Sequence, residues 1–112
     1  MRLSLLIAAA VLGSALFSEP GQAEEMPSFQ IVAKDGKLIP NRLEVPAGKK
    51  LKLLLKNEGP GPEEFESGAP RMEKVLAAGA SSFVVVQPLQ PGSYRIFGEF
   101  HPDSAECLLV VK

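Results

Sequence analysis

Leu51, Leu53 and Leu55 alternate with Lys50, Lys52, Leu54 and Lys56. This is a period of two, with one face apolar and the other mainly basic, and it predicts a half-buried β-strand. Phe83 to Val86, Tyr94 to Phe97 and Leu108 to Val111 are β-branched or aromatic runs that read as further strands, and shorter ones fall at Phe29 to Ala33 and Leu43 to Val45. Turn-forming residues punctuate the chain at Asp35-Gly36, Pro40-Asn41, Pro46-Ala47-Gly48, Glu58 to Pro62, Gly68-Ala69-Pro70, Gly79, Pro88 and Pro91-Gly92. The segments between them are mostly of strand length rather than helix length. Arg71 to Ala78 has good helix propensity but spans only about two turns before Gly79, too short to hold alone. It is read as a strand or an irregular connection into Ser81 to Val86. Seven to eight short strands joined by tight turns predict an all-β sandwich.

The first residues follow another pattern. Arg2 precedes an apolar stretch from Leu3 to Phe17, followed by the polar, turn-prone Ser18-Glu19-Pro20-Gly21-Gln22-Ala23. A basic start, an apolar centre too short to span a bilayer core of roughly 30 Å, and small residues before the junction predict a signal peptide over residues 1–23, cut after Ala23. The expected domain is residues 24–112, exported to the periplasm and not membrane-spanning after cleavage.

Composition narrows the chemistry. Twelve Lys and Arg against 13 Asp and Glu give a net charge of −1 in 112 residues, one small domain without the basic footprint of a nucleic-acid partner. One Cys and one His cannot build a tetrahedral zinc cage, an internal disulfide or a Cys/His/Asp hydrolase by themselves. Cys107, at the start of the last strand, reads as a small buried hydrophobe, with an approach to a metal as the alternative, and Met72 reads as core filling. What stands out are two acidic groups, Glu58, Glu63, Glu64 and Glu66 within nine residues, and Glu99, Asp103 and Glu106 around His101. Oxygen donors with one imidazole suit iron, manganese or Cu(II) better than Cu(I). Clustered carboxylates also repel one another unless a cation is near, which invites a metal ion. In a strand, Glu64 and Glu66 share one face while Glu63 and Phe65 share the other; Phe65 reads as facing the core, which would turn Glu63 inward with it, and the reverse arrangement stays open.

Pro91-Gly92-Ser93-Tyr94 through Phe100-His101-Pro102, then Leu108 to Val111, together with Pro46-Ala47-Gly48 before the long strand and Asn57 after it, resemble the cupredoxins. The resemblance implies a Greek-key β-sandwich. It also implies what is missing: Gly98 stands where the blue-copper Cys would be, Glu63 or Glu64 where the first His would be, and no Met follows His101. A blue-copper site needs a thiolate and two imidazoles, so a blue centre is not expected. The Glu64-Phe65-Glu66 triplet, with segments 57–67 and 98–103, is similar to the EfeO-type cupredoxin-like proteins and to stand-alone proteins of ferrous-iron transport operons. That resemblance implies a non-blue site for iron and/or copper on Glu63, Glu64, Glu66, Glu99 and His101, and as partners a high-affinity iron permease and other periplasmic components of the uptake system. It implies a binding or accessory protein, with assistance to Fe(II) oxidation before uptake as its enzymatic extension. Two other readings stand beside it: a metal-free β-sandwich module that docks a transporter component, and a copper carrier or electron-transfer protein. A site completed by a second copy in a homodimer is left open.

Overall fold

The computed structural model describes residues 26–112; the expected signal peptide lies outside the described residues. Among these residues there are nine strands and no α-helix: β1 Ser28–Lys34, β2 Lys37–Ile39, β3 Arg42–Val45, β4 Leu51–Asn57, β5 Glu63–Ser67, β6 Met72–Leu76, β7 Ser81–Val86, β8 Gly92–Gly98 and β9 Glu106–Val111. They form two sheets, one ordered β2-β1-β4-β7 and the other β3-β9-β8-β5-β6. β1 runs parallel to β4 and β3 parallel to β9, and all other pairings are antiparallel. The arrangement is the all-β sandwich expected from the strand pattern and is consistent with a Greek key.

The strands exist because alternate residues have a core to enter. In β4, Leu51, Leu53 and Leu55 are buried, and the register sets Leu53 between Phe29 of β1 and Val84 of β7. From the opposite sheet, Phe65, Ile96, Cys107 and Leu109 close the core, each fully buried. Cys107 is thus a small apolar residue packed inside. Met72 is 7 % exposed and fills the core beneath the edge strand β6.

The strand count is nine rather than seven to eight. One addition is β2, whose three residues turn back on β1 through Asp35 and Gly36, both at positive φ (53° and 72°). This two-residue reversal suits the twist of an antiparallel hairpin. The other is β6, the stretch whose helix propensity competed with strand. It pairs antiparallel with β5 and buries Met72 and Leu76, so a non-local partner overrides a local preference.

Truncation at the centre of β4 tests this packing. Leu53→Ala is expected to lower unfolding free energy by about 2–5 kcal/mol, whereas Leu54→Ala, on the outer face, should change it by no more than about 0.5 kcal/mol; urea denaturation of both variants measures the difference.

Candidate functional site

Strand β5 distributes the acidic edge. Because Phe65 is fully buried, Glu63 and Ser67 share its inward face, while Glu64 and Glu66 stand on the outer face of the five-stranded sheet. Consecutive glutamates therefore point in opposite directions. The five expected ligands do not converge on one ion: Glu63 and His101 form one group, and Glu64, Glu66 and Glu99 belong to another.

The inward group is a closed dyad. Glu63 Oε2 lies 2.7 Å from His101 Nδ1, and its Oε1 accepts the backbone N–H groups of Glu64 (3.0 Å) and Phe100 (2.9 Å). The Glu63 side chain is 4 % exposed and that of His101 50 %. A buried carboxylate unpaired here would be costly; three donors make its burial tolerable. Gly98 supplies the room. A Cβ on Gly98 would lie 2.7 Å from both Cδ and Oε2 of Glu63 and 2.9 Å from Ala105 Cβ, so the Glu63 carboxyl fills the volume that a side chain at position 98 would need. The β1–β2 turn packs against the ring from outside: Ser104 Oγ donates to Gly36 O at 2.5 Å, and a Cβ on Gly36 would come within 3.4 Å of His101 Cδ2.

Since Nδ1 is engaged by Glu63, Nε2 is the His101 atom open to a ligand, an orientation that carboxylates commonly impose on histidines. His101 lines an open cleft of about 700 Å³ together with Lys34, Asn57, Pro60, Pro62 and Phe100. The Asn57 side chain is committed to structure there. Its Nδ2 donates to Gly61 O (2.9 Å) and Leu76 O (3.0 Å), and its Oδ1 accepts Gly59 N–H (2.9 Å), clamping the loop that leads to Glu63.

The outer group gains a member. Ligand oxygens of Glu64, Glu66 and Glu73 all lie within 4.8 Å of one another, and Glu66 and Glu73 face each other across the β5–β6 ladder. Like charges directly opposite on a sheet repel. Glu99 joins them, its N–H donating to Glu64 O at 2.8 Å and its carboxyl acting on the Glu66 carboxyl. The Glu64 carboxyl is raised above the usual range by its hydrogen bond to Glu73, then by desolvation and by the charges of Glu73, Glu66 and Glu99. Glu66 is raised by desolvation, then by the charges of Glu99 and Glu73 and its hydrogen bond to Glu99. Among the described residues no Lys or Arg forms an ion pair with any of the four; Arg95 is held instead by Glu106 at 2.6 Å, over the Phe97 ring. Glu73 was not among the expected ligands. Its signal was the register of a 63–67/72–76 hairpin, which places it opposite Glu66. Cys107 takes no part: burial pushes its thiol up to about 11, which leaves it protonated and inert.

The sandwich is similar in fold to a dithionite-reduced auracyanin from Roseiflexus castenholzii, with a TM-score of 0.65 and 13 % identity over 79 % of this chain and 98 % of that one. It is also similar to a purple cupredoxin from Nitrosopumilus maritimus, with a TM-score of 0.55 and 20 % identity over 74 % and 98 % of the two chains. These likenesses define a cupredoxin-type sandwich. The sequence matches the cupredoxin-like domain over residues 5–111, and the chain belongs to that family. An uncharacterised protein of Rickettsia prowazekii is 40 % identical over 82 residues, covering 73 % of this chain and 66 % of the relative's length.

Cupredoxins normally bind copper, but the residues here do not fit a blue-copper centre. The Cβ space at Gly98 is filled by Glu63, the thiol of Cys107 is sealed in the core, and one imidazole is present.

Two outcomes follow. Gly98→Ala should destabilise the domain by about 1–3 kcal/mol through overpacking against Glu63 and Ala105, read by chemical denaturation. Glu64 and Glu66, whose folded pKa values are raised above 4.5, stabilise the fold when protonated and lose that contribution as pH rises through those values. Without metal, the melting temperature is therefore expected to fall as pH rises above the ordinary glutamate range, and Glu64→Gln with Glu66→Gln should flatten this dependence and raise stability at the upper end.

Proposed function

We propose that this protein binds a hard metal cation, iron foremost, on the outer carboxylates Glu64, Glu66, Glu73 and Glu99, and that it acts in the periplasm as an accessory to an iron permease. The observation that carries the reading is the convergence of Glu64, Glu66 and Glu73 oxygens within 4.8 Å on a face where, among the described residues, no basic side chain pairs with them. Their mutual repulsion is what a bound cation relieves. Carboxylate oxygens hold Fe(III) more tightly than Fe(II), so bound iron loses an electron more easily, the electron passing to an external one-electron acceptor. Membership of the cupredoxin-like family supports metal handling in general, and the acidic-aromatic-acidic triplet supports iron. Cu(II) is the second ion such oxygen donors accept.

A metal-free interaction module is the second reading. It is favoured by the Glu63–His101 dyad, in which the carboxylate is satisfied by donors of the chain itself.

Calorimetric titration of residues 24–112, with Fe(II) under anaerobic conditions and with Cu(II) in separate runs, distinguishes the two. The expected result is stoichiometric binding that falls at least about tenfold in the Glu64→Gln, Glu66→Gln variant and survives His101→Ala for iron. Absence of binding for both ions overturns the metal reading in favour of the module.

A further inference from the structure

The two outer faces of the sandwich differ in charge. On the four-stranded sheet, alternation directs Lys34, Lys37, Lys52 and Lys56 outward, and no Asp or Glu occupies an outward strand position there. None of these lysines forms an ion pair among the described residues; the ion pairs found are Arg42–Glu44, Arg95–Glu106, His101–Glu63 and Lys112–Glu44. Between the lysines runs an apolar band. The registers place Ile39 beside Val32, and Leu54 beside Phe83, with Val85 opposite Lys52. Ile39 and Phe83 are each 51 % exposed and Val85 41 %. Lys52 Nζ lies 4.9 Å from the centre of the Phe83 ring. The opposite sheet presents Glu44, Glu64, Glu66, Glu73 and Glu106 outward, against Arg42 and Arg95, and is net acidic.

We infer that the β2-β1-β4-β7 face docks on an anionic phospholipid bilayer. Three properties of the face carry this. It is a sheet surface rather than a groove, and so suits an extended planar partner. Its lysines can reach anionic headgroups while their alkyl stems lie along the apolar band. Phe83, Leu54 and Val85 then occupy the boundary between headgroups and acyl chains, which accommodates aromatic and aliphatic side chains. An acidic protein surface would satisfy the lysines but set its charged groups against this band.

The charge segregation also orients the molecule. The two sheets are about 10 Å apart, and charges more than about 8 Å away are largely screened at physiological ionic strength. A negative surface therefore attracts the lysine face, and the carboxylate face turns to solvent. The inference is independent of whether the carboxylates bind metal.

Co-sedimentation with vesicles tests it, using the chain from Glu24 to Lys112. All nine strands and the core lie within residues 28–111, and starting at Glu24 removes the apolar Leu3 to Phe17 stretch as a source of lipid affinity. Binding is expected to vesicles of phosphatidylglycerol and phosphatidylcholine at about 1:2 and not to phosphatidylcholine alone, and it should weaken with salt. Lys52→Gln should weaken it roughly fivefold, and Lys52→Gln with Lys56→Gln further. Phe83→Ser should weaken binding while preserving its salt dependence. Arg42→Gln removes the same charge from the other sheet and should leave binding unchanged. Because these side chains lie on the surface, each variant keeps the core, as circular dichroism would verify. The inference is overturned by absence of binding to the anionic vesicles, by equal losses in Arg42→Gln and Lys52→Gln, or by lipid-independent self-association that the lysine variants abolish, which would identify the acidic face of a second copy as the occupant.

Discussion

The burial of Phe65 sets the phase of β5, and the acidic edge depends on that phase. A strand offers its residues to two faces in turn, so placing one aromatic ring in the core sends Glu63 inward with it and Glu64 and Glu66 outward. A run of glutamates that looks like a single feature along the chain becomes two different environments. The inner carboxyl survives because the chain supplies its donors locally: two backbone N–H groups and the His101 ring, with Gly98 leaving the space empty for it. The outer carboxyls have no such provision and crowd one another on the sheet surface.

These environments imply different chemistry. The inner dyad is satisfied by its own partners, so Glu63 serves as a positioning residue that presents Nε2 of His101 to the cleft. The outer carboxylates are an unsatisfied charge cluster whose protonation is shifted by its own members. Family membership sets the scaffold, while the donors at each position set the ion it can hold. Here the scaffold is a cupredoxin-type sandwich, and the donors it presents on β5 are carboxylate oxygens, which are hard.

Much of the fold was legible because its strongest strands carry their own burial pattern. β4 declares itself through three leucines alternating with Lys50, Lys52, Leu54 and Lys56, and β9 through its apolar run. β2 was not legible, since three residues are too few to show a period and its pairing depends on the turn at Asp35-Gly36. β6 was ambiguous for a different reason: its local propensity favours helix, and its partner β5 enters only through the hairpin. Glu73 was missed with it, because a cross-strand neighbour is fixed by register and not by spacing. The opposed directions of Glu63 and Glu64 follow from alternation alone, and an aromatic at position 65 already pointed Glu63 inward, as the burial of Phe65 bears out. The contact of Glu63 with His101, 38 residues later, has no local signature at all.

The fit between Glu63 and Gly98 also constrains the order in which this chain can change. A side chain at position 98 and the carboxyl at position 63 claim the same volume, so a thiolate cannot be introduced at 98 while Glu63 keeps its place. Any sequence path toward a sulfur ligand there must first shorten or redirect residue 63, and that step releases His101 from its anchor and leaves the Phe100 N–H without its acceptor. The two positions form a mutational ratchet: each residue is readily kept while the other is present, and any route to a sulfur ligand at 98 passes through a less stable intermediate.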